Sequence, residues 1–139
     1  TPYGSRKIRT LKKDRKLYMW DWSICNSAGA RFENLVASNL LKYCHFMEDT
    51  QGDDMGLCYL RDKNKREVDF VVLKNRKPLF AVESKTGETD VSRHISYFAS
   101  RTEIPFFFQV HQGVRDYEVL DCRTRVLPFT TFAAEILKI

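Results

Sequence analysis

The 139-residue sequence lacks the marks of several common protein classes. It has no apolar run near the ~20 residues that a bilayer-spanning helix needs, and no secretory signal. A helix-anchored membrane protein is thereby excluded, and a cytoplasmic location with no membrane partner is expected. The cysteines at 25, 44, 58 and 122 form no Cys-x-x-Cys pair, so zinc spacing is absent and a dense disulfide scaffold is ruled out. Reduced thiols are the expectation. The three histidines are scattered, and Cys44-His45 has no third ligand close by in the sequence. No internal repeat or low-complexity tract is present. Acids are scarce at the amino end, where Arg6, Lys7, Arg9, Lys12, Lys13, Arg15 and Lys16 face only Asp14. Without these, the 23 basic and 18 acidic residues fall to 16 and 17, so the formal charge of +5 resides in an arm and the remainder is balanced. Such an arm either binds phosphates non-specifically or serves as a solvated linker.

The length suits one domain with a real core. The expected layout is a basic arm or linker over 1–15 and an α/β domain over 16–139. Leu17 to Trp22 is a short apolar segment. Asn26, Ser27 and Gly29 mark a helix start, and Phe32, Val36, Leu40, Tyr43 and Met47 recur at helical spacing, which predicts an amphipathic helix over 29–46. Glu33 borders that apolar stripe. A loop is expected over 48–56, a strand over 57–61 and a turn over 62–65. Residues 86–90 break the sheet and cap a second helix, whose buried stripe is Val91, Ile95, Phe98 and Ala99. The run 104–110 reads as a strand buried on both faces, reached through a parallel crossover. Residues 114–120 and 125–127 are expected as edge strands, and 129–137 as a closing helix.

The stretch Glu67 to Lys85 carries the chemistry. Two strand-like segments flank Lys74-Asn75-Arg76-Lys77-Pro78. By strand alternation, Glu67, Asp69, Val71 and Leu73 share one face, as do Leu79, Ala81, Glu83 and Lys85. A hairpin centred on Arg76 pairs Leu73 with Leu79, Asp69 with Glu83, and Glu67 with Lys85. Two carboxylates then stand opposite each other on an apolar face, which destabilises a sheet unless a proton or cation sits between them. Oxygen-only ligands suit Mg²⁺ or Mn²⁺ better than zinc. Lys85 points at the same place.

An acid on an early helix (Glu33), an Asp on one strand (Asp69) and Glu83-Ser84-Lys85 on the next resemble the PD-(D/E)xK nuclease superfamily, with its restriction-endonuclease-like fold. More narrowly, Lys16-Leu17-Tyr18, Phe32 to Ala37, Tyr59 to Lys63 and Glu67 to Phe70 resemble the C-terminal domain of a group of prokaryotic AAA+ ATPases. The likeness spans 16–138, with Val68 where the superfamily usually has Pro. It implies an α/β fold with a mixed β-sheet flanked by helices, and an ATPase module ahead of Thr1 in the natural chain. It also implies a metal site of Asp69 and Glu83 assisted by Glu33, with Lys85 acting on the nucleophile. Gln109, Tyr59, Arg61 and Arg66 are the candidate contacts to DNA. Two readings follow. One is a Mg²⁺- or Mn²⁺-dependent phosphodiesterase. The other is a catalytically inactive module for DNA or partner docking, in which Glu67 and Lys85 form an ordinary cross-strand ion pair.

Overall fold

The computed structural model describes residues 8–13, as backbone, and 28–139. Seven strands run in the chain order β1 (Ile8–Lys13), β2 (Met55–Asp62), β3 (Glu67–Lys74), β4 (Lys77–Ser84), β5 (Phe107–His111), β6 (Tyr117–Val119) and β7 (Thr124–Pro128). Three helices, α1 (Ala28–Gln51), α2 (Arg93–Ala99) and α3 (Phe129–Glu135), complete the α/β fold. The strands form one mixed sheet in the order β1-β2-β3-β4-β5-β7-β6. β1 to β4 pair antiparallel, β4 to β5 and β5 to β7 pair parallel, and β6 returns antiparallel to β7. Among the described residues no helix is long and apolar enough to cross a membrane.

The apolar stripe of α1 is buried as its spacing predicts, with Phe32, Val36, Leu40, Tyr43 and Met47 in the core. They pack on Phe70, Val72, Phe80, Val82, Phe108 and Val110 of the sheet, and α3 adds Phe132 on the same side. Phe80 is held between Tyr43 and Phe108, with ring centroids 6.0 and 5.3 Å away. The opposite face carries α2, where Ile95, Phe98 and Ala99 cover Val71, Ala81 and Phe107. The sheet is thus covered on both faces between β3 and β7, as a parallel centre requires. Cys44, Cys58 and Cys122 are buried free thiols.

Several boundaries differ from expectation. α1 continues to Gln51, because no helix breaker intervenes before Gly52, whose φ of +70° ends it. β2 accordingly starts at Met55, so the expected 48–56 loop is short. Residues 8–13 of the presumed arm form a strand, since the outer edge of β2 offers unpaired backbone groups for Ile8 to Lys13 to take up. The segment 17–22 and Lys16-Leu17-Tyr18 lie outside the described residues. α2 begins at Arg93, capped by the Ser92 side chain rather than by residues 86–90. The strand around 125–127 is interior, between β5 and β6, and Val126 and Leu127 are buried accordingly. The closing helix tightens into a 3₁₀ turn over Ile136–Lys138.

The central hairpin turns on two residues, Asn75 and Arg76, with φ of +52° and +71°. A two-residue turn with positive φ at both positions matches the twist of the flanking strands. Lys74 therefore faces Lys77 and Leu73 faces Pro78, not Leu79. One extra residue in β4 then corrects the register, so Val72 meets Phe80 and Phe70 meets Val82, the alignment that brings Asp69 level with Glu83.

Truncation of Phe80, which is 1% exposed, to Ala should cost about 3–5 kcal/mol and lower the urea midpoint accordingly. Leu120→Ala, at a side chain 81% exposed, should stay within about 0.5 kcal/mol of the parent.

Candidate functional site

The β3–β4 ladder stops at Phe70 and Val82. Beyond that rung the strands part. The start of β3 stays with β2, where Glu67 faces Arg61 and Val68 faces Leu60. The end of β4 stays with β5, where Glu83 faces Gln109 and Ser84 faces Val110. Asp69 and Glu83 occupy the fork, and their carboxylates take over the missing rungs. The Asp69 N–H donates to Glu83 Oε1 at 3.1 Å. The Ser84 N–H and hydroxyl donate to Asp69 Oδ2 at 3.0 and 2.8 Å.

A bulge makes this possible. β3 advances three residues from Val71 to Val68 while β2 advances two, from Cys58 to Leu60. The extra residue falls at Asp69–Phe70, so plain alternation does not run through Asp69. The expectation that Glu67, Asp69, Val71 and Leu73 share one face is corrected accordingly. The bulge aims Asp69 into the gap toward Ser84.

Two acids enclosed together have few ways to remain charged. Glu83 is 7% exposed. Its burial, and then the neighbouring Asp69 charge, push its carboxyl up to about 8. Burial also raises Asp69, against the hydrogen bonds from Ser84 and the Lys85 charge that pull it down. Lys85 places an ammonium close to Glu83, with Nζ 3.6 Å from Oε2. The expected Glu67–Lys85 pair is not formed, because Glu67 is taken by Arg61 at 2.8 Å and Lys85 turns to Glu83. The fork thus brings together Asp69, Glu83 and Lys85 and leaves it short of positive charge.

The remaining predicted residues lie elsewhere. Glu33 sits half-buried near the start of α1. Among the described residues no three His, Cys, Asp or Glu side chains stand together as a metal site, so Glu33 does not join Asp69 and Glu83. Gln109 lies beside Glu83 but is 1% exposed. Its amide clamps the segment before α2, accepting from Ser92 N–H at 2.8 Å and donating to the carbonyls of Asp90 and Thr89 at 3.0 and 3.3 Å. It shapes the wall of the fork rather than its opening. Tyr59 lies under the Arg61 guanidinium, 5.0 Å from its ring centre. Arg66 is paired with Asp62 at 2.9 Å.

Ser84 and His94 went unassigned in the sequence. Ser84 alternates away from Glu83, and only the bulge in the partner strand turns Asp69 toward it. His94 Nδ1 lies 3.1 Å from the Glu67 carbonyl oxygen, tying α2 to the start of β3. No local pattern announces either contact.

The donor set fits a hard divalent cation. Mg²⁺ is commonly bound through one or two carboxylates, with waters and substrate phosphates filling the remaining positions. The half-buried Asp69 and buried Glu83 carboxylates, with the Lys85 ammonium beside the second, match that chemistry.

The raised Glu83 carboxyl has a consequence for stability. Between about pH 5 and 8 the native protein keeps a proton that the unfolded chain releases, so stability falls as pH rises. Glu83→Gln keeps an oxygen for the Asp69 N–H and removes the titration. In denaturant titrations the parent should lose on the order of 2 kcal/mol more than the variant between those limits. Equal losses would place the effect in another group.

No curated protein and no solved structure matches the chain at a significant level. One family model does match, "Domain of unknown function (DUF4143)", over residues 28–132, which takes in α1, the hairpin, the fork and most of the sheet. The chain therefore belongs to the DUF4143 family.

Proposed function

We propose that the domain is a PD-(D/E)xK-type nuclease that hydrolyses phosphodiester bonds of DNA with Mg²⁺ or Mn²⁺, working as the C-terminal part of a cytoplasmic AAA+ ATPase. One observation carries the chemistry: a half-buried carboxylate, Asp69, and a buried one, Glu83, meet at a strand fork with an ammonium 3.6 Å from the second. The motif likeness over 16–138 supports the superfamily and the ATPase setting. Asp69 and Glu83 would hold the cation. When bound, it would neutralise their mutual repulsion and stabilise charge on the scissile phosphate. Ser84 holds the Asp69 carboxylate in place through two hydrogen bonds. Lys85 is part-exposed, so its Nζ can reach an attacking water or a phosphate oxygen while remaining tethered to Glu83. Gln109, opposite Glu83 on β5, fixes the segment that leads into α2.

The second reading keeps the fold and drops the hydrolysis, leaving a DNA- or partner-docking module. What favours it is that no third acidic side chain joins the pair among the described residues. The two readings separate on metal. At pH 8, Mg²⁺ at about 100 times its Kd should add ~2.7 kcal/mol of stability, read as a rise in Tm. Asp69→Asn should abolish both that rise and Mg²⁺-dependent cleavage of plasmid DNA. Lys85→Ala should keep the rise and lose about 100-fold or more in rate. Undiminished cutting by the Asp69→Asn protein ends the nuclease reading, and a Tm indifferent to Mg²⁺ favours the docking module.

A further inference from the structure

We propose that the β2–β3 turn and α2 together form a phosphate-gripping platform that holds the backbone of duplex DNA beside the fork. The platform rests on the reading that DNA is the partner, but it concerns binding and not cleavage. The turn is docked rigidly on the helix. The Asp62 carboxylate accepts the N–H groups of Asn64 and Arg66 at 2.9 and 3.0 Å and pairs with the Arg66 guanidinium. That guanidinium lies 3.8 Å from the centre of the Tyr97 ring, and Arg101 lies 3.9 Å from the same ring. Arg93, Tyr97 and Arg101 follow at four-residue steps, one stripe of α2 and its extension.

Charge on this surface is one-sided. The acids of the turn and of the start of β3 are committed, Asp62 to Arg66 and Glu67 to Arg61, and the exposed Asp90, Glu103 and Asp121 lie beyond the ends of α2 or on the neighbouring 3₁₀ turn. Lys63, Lys65, Arg93 and Arg101 are exposed, and among the described residues none has a carboxylate within ion-pair distance. No acid occurs from Ser92 to Thr102. Four uncommitted cations on a braced turn and helix are complementary to a row of phosphates. α2 itself, from Arg93 to Ala99, covers about 9 Å, and with Arg101 in the turn after it the surface matches about three phosphates of one strand of B-form DNA. Tyr97, covered by two guanidinium groups, offers no free ring for stacking a base, so the platform suits a duplex backbone more than a splayed single strand. Its place is right for the fork. Arg66 is three residues before Asp69, about 10 Å along the strand.

The test is the salt dependence of binding to a fluorescent ~20-base-pair DNA duplex without metal, between about 50 and 200 mM KCl. Each phosphate contact contributes about 0.9 to the slope of log K against log salt. The quadruple Gln variant of Lys63, Lys65, Arg93 and Arg101 should lower that slope by about 3 and weaken low-salt binding at least tenfold. Arg93→Lys with Arg101→Lys should retain the slope. Arg76→Gln with Lys77→Gln, at the far tip of the central hairpin, should also leave it in place. A wild-type protein that binds through the platform but never cleaves removes the nuclease reading and leaves this inference standing. A quadruple variant with the parental slope overturns it, as does tighter binding of the corresponding single strand.

Discussion

Two acids share a gap between strands that hydrogen bonding alone cannot close. β3 and β4 are joined rung by rung up to Phe70 and Val82, and then each follows its outer neighbour. At that point Asp69 and Glu83 bond each other's strand through their carboxylates, satisfying the half-buried N–H groups of Ser84 and Asp69 that the ladder no longer pairs. The arrangement settles the backbone and leaves a surplus of negative charge in a dry place. Two features of the site follow from that conflict: the raised carboxyls, and the ammonium of Lys85 leaning in.

Both faces of the sheet hold the fork open. α1 and α3 press on Phe70, Phe80 and Val82, directly behind the last rung. α2 covers Val71 and Ala81 on the other side and reaches the fork through two polar ties, Gln109 to the segment before the helix and His94 to the start of β3. The strands cannot rejoin without unpacking one of these layers. The turn bearing Asp62 and Arg66 is braced on the same helix through Tyr97.

Much of this was legible in the sequence, for reasons that differ by element. α1 was readable because Phe32, Val36, Leu40, Tyr43 and Met47 repeat at the period of a helix and are all buried. The level placement of Asp69 and Glu83 was readable from strand lengths and a turn, although the turn itself is a two-residue type and an extra residue in β4 restores the alignment. The bulge at Asp69 was not readable. A bulge depends on which neighbour a strand follows, and β3 is pulled toward β2 at one end and β4 at the other. The same limit hid Ser84 and the clamp of Gln109, whose partners lie 15 or more residues away. The strand at 8–13 was obscured by its own charge, because edge strands tolerate lysine and arginine that elsewhere signal a solvated arm.

Charged clusters elsewhere in the protein differ from the fork in the sign of their electrostatics. Arg125 holds Asp116 at 2.7 Å and Glu135 at 3.3 Å, and the Asp116 carboxyl is lowered by that contact. Asp62 is likewise held below its ordinary range: burial opposes this, but the N–H groups of Arg66 and Asn64 and the Arg66 charge outweigh it. In both, the acid is stabilised as an anion, as a structural pair should be. At the fork the displacement has the opposite sign for both acids, despite hydrogen bonds and a nearby ammonium. A glutamine at 83 would accept the same Asp69 N–H without burying an ionisable group, so the acid there destabilises the apo fold with no structural return. The fork meets that cost at neutral pH by keeping a proton on the pair, which neither of the structural ion pairs does.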